Sequence, residues 1–188
     1  LISLKSAVAL TRRSLGFCTS KIMIALDGNN APRQRLGLNA LIGVSASRSL
    51  PSGMIGPAAD RLYAVEPAGF DDHRRSLESG TRCGNTAGAP TICDALLSPM
   101  PGVLTFAINR PRLAGGLAVD DDRVRAAMAL AFSHFKLVVE PGGAVALAAA
   151  LSGAYDCRGK AVAVVASGGN VDPALYAEAI AGSSAGPS

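Results

Sequence analysis

The pattern of apolar and polar residues changes character near residue 60. Before that point, helical and strand periodicities are weak and turn-forming residues are frequent, as in the stretches 27–30 and 51–57. After it, short apolar runs alternate with segments of helical periodicity as far as residue 181, and the stretch 182–188 is a small, polar tail. We therefore divide the chain into a poorly patterned segment, 1–60, a regular segment, 61–181, and this tail.

The regular segment predicts alternating strands and helices. The apolar run at 161–166 is typical of a strand buried on both faces of a parallel sheet, and the wholly apolar stretch 144–151 predicts a buried helix. This alternation predicts an α/β fold, with an open, twisted, mostly parallel sheet and helices on both faces. The predicted strands are 61–66, 116–119 and 161–166, and the predicted helices are 71–78, 92–97, 124–135, 141–151 and 173–180.

Composition and charge narrow the class of protein. Hydrophobic residues make up 49% of the chain and charged residues 17%, which is typical of a globular protein. No apolar run approaches the roughly 18 residues that a membrane-spanning helix needs. The net charge of +4 is concentrated in residues 1–60, but no aromatic interleaving or nucleic-acid motif accompanies it. We expect neither a membrane protein nor a nucleic-acid-binding one.

The cysteines and histidines do not form a metal or disulfide pattern. The four cysteines include no Cys-x-x-Cys pair, and neither histidine has a partner at ligand spacing. Free thiols in a reducing cytoplasm are the simplest interpretation. The Arg- and Ser-rich stretch 1–23 lacks acidic residues and resembles a mitochondrial transit peptide, which leaves targeting as an alternative.

A candidate binding site follows the last predicted strand. In open α/β sheets, ligands bind beyond the carboxyl ends of the strands, and the Ser-Gly-Gly-Asn stretch 167–170 occupies that place. Its glycines permit close approach of a ligand, and Ser167 offers a hydroxyl that can donate or accept a hydrogen bond. An ordinary turn between a strand and a helix explains the same residues, so this motif alone leaves both interpretations open.

Five segments stand in the order and at the spacing of a known family: Val-Val-Glu-Pro-Gly-Gly from 138, Val-Val-Ala-Ser-Gly-Gly-Asn from 164, Val-Glu-Pro-Ala-Gly-Phe-Asp-Asp from 65, Pro-Thr-Ile-Cys-Asp from 90 and Pro-Gly-Val-Leu-Thr-Phe from 101. Together they resemble the serine/threonine dehydratase family, which includes serine racemase and has the tryptophan-synthase-β-like (type II) pyridoxal-phosphate fold. The resemblance covers residues 61–181, and several motifs in the right order are more specific than any one of them.

The resemblance implies a cofactor site. Ser167 matches the family serine that hydrogen-bonds the pyridine nitrogen of pyridoxal 5'-phosphate, and Gly168 lies beside it. Glu140 matches a glutamate near the cofactor, although its charge could instead stabilise the N-terminus of the following helix. The implied reaction is that of an ammonia-lyase, which eliminates the β-hydroxyl of L-serine or L-threonine to give ammonia and a 2-oxo acid.

The resemblance also implies a divalent-cation site at Glu66, Phe70 and Asp72, with Phe70 contributing only its backbone carbonyl. Two carboxylates and a carbonyl are ligands suited to Mg²⁺ or Ca²⁺. Val103 stands where the family often has a polar residue, which weakens that part of the ligand shell. Acidic surface residues that precede a helix are the alternative explanation.

The family's cofactor-anchoring lysine is missing. No Ser-Phe-Lys-x-Arg-Gly segment occurs, and neither Lys5 nor Lys136 lies in a similar context, so we assign no catalytic residue. The stretch 37–45 matches the family's phosphate-binding glycine run and following helix, but it has Leu38, Asn39 and Ala40 in place of glycines.

These features predict a fragment or degenerate copy of a dehydratase, inactive by itself and prone to form homo-oligomers. A frameshift in a GC-rich gene would explain the loss of pattern before residue 60. The alternative from another class is a non-catalytic α/β module for binding or subunit association. A dinucleotide-binding domain is disfavoured because no Gly-x-Gly-x-x-Gly follows a predicted strand.

Overall fold

A six-stranded sheet organises the part of the chain that the computed structural model describes, which is residues 7–11, 21–27, 40–44, 61–86, 88–158 and 160–182. The strand order is β1-β2-β6-β3-β4-β5. Strands β6, β3, β4 and β5 run parallel, whereas β2 pairs antiparallel with both β1 and β6. The strands are β1 (Ala7–Thr11), β2 (Lys21–Asp27), β3 (Ala40–Val44), β4 (Leu62–Pro67), β5 (Gly115–Val119) and β6 (Ala161–Ser167).

Five α-helices lie in the described residues after the third strand. Short 3₁₀ turns precede α1 at Ala68–Phe70 and lie in the following loop at Asp94–Leu96, where the sequence predicts a short helix. A π-helical turn, Ala131–Phe135, extends α3. The helices are α1 (Asp72–Ser79), α2 (Val103–Asn109), α3 (Asp121–Leu130), α4 (Pro141–Ser152) and α5 (Pro173–Gly182).

Side-chain alternation along β5 shows that helices cover both faces of the sheet. Leu117 and Val119 pack into the main core together with α4. A side chain at Gly116 would instead meet the backbone of Arg74 in α1. Since neighbouring residues of a strand point to opposite faces, α1 and α4 lie on opposite sides of the sheet. The mostly parallel α/β sheet covered on both faces is therefore confirmed.

Helix α4 forms the centre of the core. Residues 141–150 are all buried, as the unbroken apolar stretch predicts. Pro141 occupies the first turn, where its missing N–H costs nothing, and Gly153 ends the helix with a φ of +80°. The many alanines give α4 a narrow surface, which lets it pack directly on the parallel strands and on α3.

The sequence-based expectations also differ from the structure outside these 3₁₀ and π-helical turns. Strands β1 and β2 lie in the segment whose pattern predicts little, and α2 lies where no helix is predicted. Residues 40–44 form strand β3, whereas the family resemblance places the start of a helix there. The reason is that Leu41, Ile42 and Val44 suit a strand between two parallel neighbours. Positions 37–39 and the tail 183–188 lie outside the described residues.

Candidate functional site

Ser167 lies at the carboxyl end of β6, as predicted. Val162, Val164 and Ala166 of this strand belong to the core cluster that contains α4. Alternation therefore places Ser167 on the opposite face of the strand. Its side chain is half-buried, and its Oγ forms no hydrogen bond with another described residue. A hydroxyl can donate or accept a hydrogen bond, and in open α/β sheets ligands bind at this edge.

Gly168 connects Ser167 to Glu140. Its φ of +79° lies in the left-handed region, and a side chain there would overlap the Glu140 carboxylate. The backbone N–H of Glu140 donates to the Gly168 carbonyl at 3.2 Å, and the N–H of Asn170 donates to Glu140 Oε2 at 3.2 Å. Glu140 thus holds the loop after β6 through both its own backbone N–H and its own carboxylate.

The position of the Glu140 side chain bears on the two roles considered for this residue. The residue occupies the N-cap position of α4, but its side chain makes no capping hydrogen bond to that helix. The carboxylate turns towards residues 168–170 instead. Glu140 therefore shapes the loop beside Ser167 and makes no side-chain capping hydrogen bond to α4.

Two further glycines bring the start of α4 against neighbouring segments. A side chain at Gly143 would collide with the Ser167 carbonyl, so α4 meets the end of β6 at a distance that only glycine permits. A Cβ at Gly142 would lie 3.4 Å from the Cβ of Ala95 in the 3₁₀ turn. Segments around residues 95, 140 and 167, which are far apart in sequence, therefore meet at one edge of the sheet.

The strand register adds a residue that the sequence analysis did not single out. Lys21, the first residue of β2, pairs with Ser167 in the antiparallel β2–β6 ladder. No sequence motif surrounds Lys21, so only the strand pairing reveals this proximity.

The residues of the predicted cation site lie at the junction of β4 and α1. Glu66 is buried, and its two carboxylate oxygens accept hydrogen bonds from the backbone N–H groups of His73 at 3.1 Å and Arg74 at 2.9 Å. Burial, reinforced by the nearby Asp72 carboxylate, raises the pKa of Glu66 to about 8. Glu66 therefore binds the N-terminus of α1, where the helix dipole favours an acceptor.

The other acidic side chains of this junction also have partners within the protein. Asp72 Oδ1 accepts a hydrogen bond from the Asn85 side chain, and burial raises the pKa of Asp72. Burial opposes ionisation of Asp71, but hydrogen bonds from Arg75 at 2.8 Å and Arg74 at 2.9 Å outweigh it and lower the pKa of Asp71. Phe70, buried in the preceding turn, lines the adjacent pocket with Asn85. Among the described residues, no three His, Cys, Asp or Glu side chains form a group able to hold a metal ion.

Comparison with known proteins identifies the family. The family model for pyridoxal-phosphate dependent enzymes matches residues 41–168, more than half of the chain. The chain is 40% identical over 115 residues to a serine racemase of Dictyostelium discoideum, a match that covers 60% of this chain and 35% of that protein. It is 35% identical over 155 residues to an L-threo-3-hydroxyaspartate ammonia-lyase of Saccharomyces cerevisiae, covering 81% and 45%.

Solved structures agree. A threonine deaminase of T.th. superposes with a TM-score of 0.62 at 32% identity, covering 72% of this chain and 47% of that one. The serine racemase of D. discoideum gives a TM-score of 0.61 at 35% identity, covering 72% and 45%. The chain spans less than half the length of these relatives.

The residues present fit the nitrogen end of a pyridoxal ring, because the Ser167 hydroxyl lies beside a loop that glycine and Glu140 hold at the carboxyl edge of the sheet. No helix in the described part of the chain has both the length and the apolar character needed to cross a bilayer. The chain belongs to the pyridoxal-phosphate-dependent enzyme family, and within it resembles the serine racemases and the threonine and hydroxyaspartate ammonia-lyases.

Proposed function

We propose that this chain is the part of a serine/threonine-type dehydratase that holds the pyridine-nitrogen end of pyridoxal 5'-phosphate. The observation that carries the proposal is the Ser167-Gly168 turn packed against Glu140 at the end of a strand buried on both faces. The substrate class is an L-amino acid with a β-hydroxyl, such as L-serine or L-threonine, and the products are ammonia and a 2-oxo acid. The names of the relatives support this class of substrate.

The chemistry of Ser167 suits elimination. When bound, the cofactor supplies an electron sink for the negative charge that develops at the substrate Cα. A neutral hydroxyl does not stabilise a protonated ring nitrogen as a carboxylate does, so the cofactor ring would withdraw electrons only moderately. Such a site favours prompt loss of the β-hydroxyl over accumulation of charge. Gly168 and Glu140 keep the hydroxyl in place by fixing the backbone that follows it.

We propose further that the chain by itself is inactive, because the lysine in its family context is absent. The purified chain is mixed with pyridoxal phosphate and dialysed, and its visible absorbance is recorded. A second portion is reduced with borohydride, and peptide mass mapping then locates any lysine that carries the reduced cofactor. We expect no retained visible band and no lysine carrying the reduced cofactor. A stoichiometric adduct on one lysine would contradict this proposal, and Lys21 is the first position to inspect because it pairs with Ser167.

The hypothesis of a fragment or frameshifted copy has a separate test. The DNA that flanks the coding sequence is translated in all frames, and we expect a Ser-Phe-Lys-x-Arg-Gly segment and a glycine run to appear. If neither the lysine segment nor the glycine run appears in any frame, the hypothesis is disproved. The non-catalytic module for binding or subunit association would then be the better explanation, and it predicts no affinity for pyridoxal phosphate.

Three finer proposals accompany the main one. We propose a cytoplasmic location, since the described cysteines are free thiols. We also propose a homo-oligomer, which size-exclusion chromatography with light scattering tests directly.

The cation role of Glu66, Phe70 and Asp72 stays a proposal, although these residues also form the internal contacts described above. Calorimetric titration with Mg²⁺ and Ca²⁺ tests it: a cation site gives saturable binding that Asp72→Asn abolishes, and absence of binding rejects it.

A further inference from the structure

Exposed apolar side chains cluster in one short segment on the side of the molecule that carries α2. Six large hydrophobic residues of the described chain are exposed, and four of them fall between residues 97 and 104. Val103 and Leu104 at the start of α2 are the most exposed of all. Scattered single residues of this kind need no explanation, but a cluster indicates a surface that another molecule covers. The four are Leu97 at 46%, Met100 at 39%, Val103 at 69% and Leu104 at 72%.

A groove of about 650 Å³ adjoins this cluster. We call it the α2 groove. Apolar residues, which we call its floor, and two arginines line it. The lining residues are Arg82, Val103, Phe106, Ala107, Arg110 and Pro111.

The arginines around the α2 groove have no carboxylate partner in the described part of the chain. Arg82 donates from Nε to the Pro101 carbonyl at 2.7 Å, and Arg112, next to Pro111, donates to the Ile108 carbonyl at 2.7 Å. Neither these two nor Arg110 forms a salt bridge with a described acidic residue. Arginine elsewhere in this chain behaves differently, since Arg74, Arg75 and Arg123 all pair with aspartates.

We propose that the α2 groove and the cluster beside it dock an acidic segment of a partner polypeptide that also carries apolar side chains. Charge complementarity is the argument: apolar side chains fill the floor, and carboxylates meet the guanidinium groups. A small ligand in the groove would leave Leu97, Met100 and Leu104 uncovered. A two-fold contact with a second copy would bring like-charged arginines together, which opposes such a dimer.

Two other kinds of partner fit the geometry less well. Single-stranded nucleic acid needs exposed aromatic rings for base stacking, and the aromatic residue that lines the groove, Phe106, is buried. An anionic membrane also attracts basic and apolar residues together. A bilayer surface cannot enter a concave groove, however, whereas a protruding side chain of a peptide can.

The test is selection from a displayed library of random 12-residue peptides against the whole chain. Selected peptides should be rich in Asp and Glu and carry at least one large apolar residue. Their affinity for the chain should fall about tenfold or more in both Arg110→Glu and Leu104→Glu, and most of it should be kept in Arg110→Lys. It should be unchanged in the control Arg158→Glu, because Arg158 lies in the loop before β6 and pairs with Asp156. Thermal melting of each variant verifies folding.

Several outcomes overturn the proposal. They are selection of no peptide, selection of peptides without acidic residues, and binding that Arg110→Glu and Leu104→Glu leave intact. Co-sedimentation with phosphatidylserine vesicles that Arg110→Glu abolishes would assign the surface to a membrane instead. Concentration-dependent dimerisation that Leu104→Glu abolishes would assign it to a second copy. Protection of residues 97–111 from hydrogen exchange by a selected acidic peptide would support the proposal.

Discussion

Gly168 and Gly153 have nearly the same left-handed backbone, with φ of +79° and +80°, but different surroundings. Nothing lies within 4 Å of a Cβ built at Gly153, whereas a Cβ at Gly168 would overlap the Glu140 carboxylate. Any L-residue pays a conformational cost of about 1–2 kcal/mol in this region. Alanine substitution at Gly153 therefore measures the free-energy cost of the left-handed backbone alone. The same substitution at Gly168 adds the cost of crowding against Glu140.

We expect Gly168→Ala to lower the free energy of unfolding by about 1–3 kcal/mol more than the control Gly153→Ala, because only the former adds steric overlap. Urea denaturation measures both. In a Glu140→Ala background the excess should largely vanish, since the overlapping group is gone. Equal losses in the two single variants would show that Glu140 does not pack on Gly168.

Glu66 makes stability depend on pH. Its pKa is about 8 in the folded chain, against an ordinary value of 4.5. Below pH 4.5 both the folded and the unfolded chain hold the proton, and between the two values only the folded chain does. Stability should thus fall as pH rises through this window, by on the order of 3–5 kcal/mol.

We expect Glu66→Gln to flatten that slope, leaving the smaller contribution of Asp72, whose pKa is also raised by burial. Denaturation series from pH 4.5 to 8 in the presence of EDTA provide the measurement. Glu78→Gln is the control, since Glu78 is an exposed acidic residue of α1, the helix whose N-terminus Glu66 binds. If the slope is the same in wild type and Glu66→Gln, the burial of Glu66 does not govern the pH dependence.

Among the elements, α4 packs closely against the end of β6 at Gly143. Gly143→Ala places a methyl group against the Ser167 carbonyl, a backbone atom that cannot move aside. Gly142→Ala brings only a contact at 3.3–3.4 Å with the side chains of Leu96 and Ala95. Alanine favours a helix over glycine by up to about 1 kcal/mol, which offsets that crowding.

We therefore expect Gly143→Ala to destabilise the chain by at least about 2 kcal/mol and Gly142→Ala to change stability by less than about 1 kcal/mol in either direction. Calorimetric melting distinguishes them. A similar effect of both variants would indicate that helix propensity, and not the close approach to β6, sets the cost.

The elements also show where sequence patterns succeed and fail. The apolar stretch of α4 and the run of β6 predict their elements because full burial leaves no other explanation. Helix α2 escapes prediction because Val103 and Leu104 are exposed while Phe106 is buried, which gives no clear amphipathic stripe. In α3, periodicity predicts the helix but not its π-helical end, which closes with Lys136 at a φ of +59°.

For the whole molecule, buried cysteines report global folding. Cys93 and Cys157 are buried, and burial raises their pKa values to about 12 and about 11. Cys83 is only half-buried. The thiolate is the reactive form, so the two buried thiols are protected by both access and protonation.

We expect a thiol reagent at pH 8 to modify Cys83 rapidly and to modify Cys93 and Cys157 together, at the rate of global unfolding. Quenched labelling with peptide mass spectrometry resolves these three of the four cysteines. The variants Gly143→Ala and Gly168→Ala should accelerate labelling of both buried sites. Rapid, independent labelling of Cys93 in the native chain would show that the 3₁₀ segment opens without unfolding of the core.

The amino-acid sequence by itself determined the α/β class, the covered parallel strands and the place of Ser167, because the pattern of apolar residues is a local property of the chain. The tertiary structure decided what lies beside Ser167. Strand pairing brings Lys21 opposite it, and helix packing brings Glu140 against Gly168. These contacts join residues tens of positions apart, and no local pattern encodes them. The same holds for the arginines of the α2 groove, which become neighbours of an apolar floor only after folding.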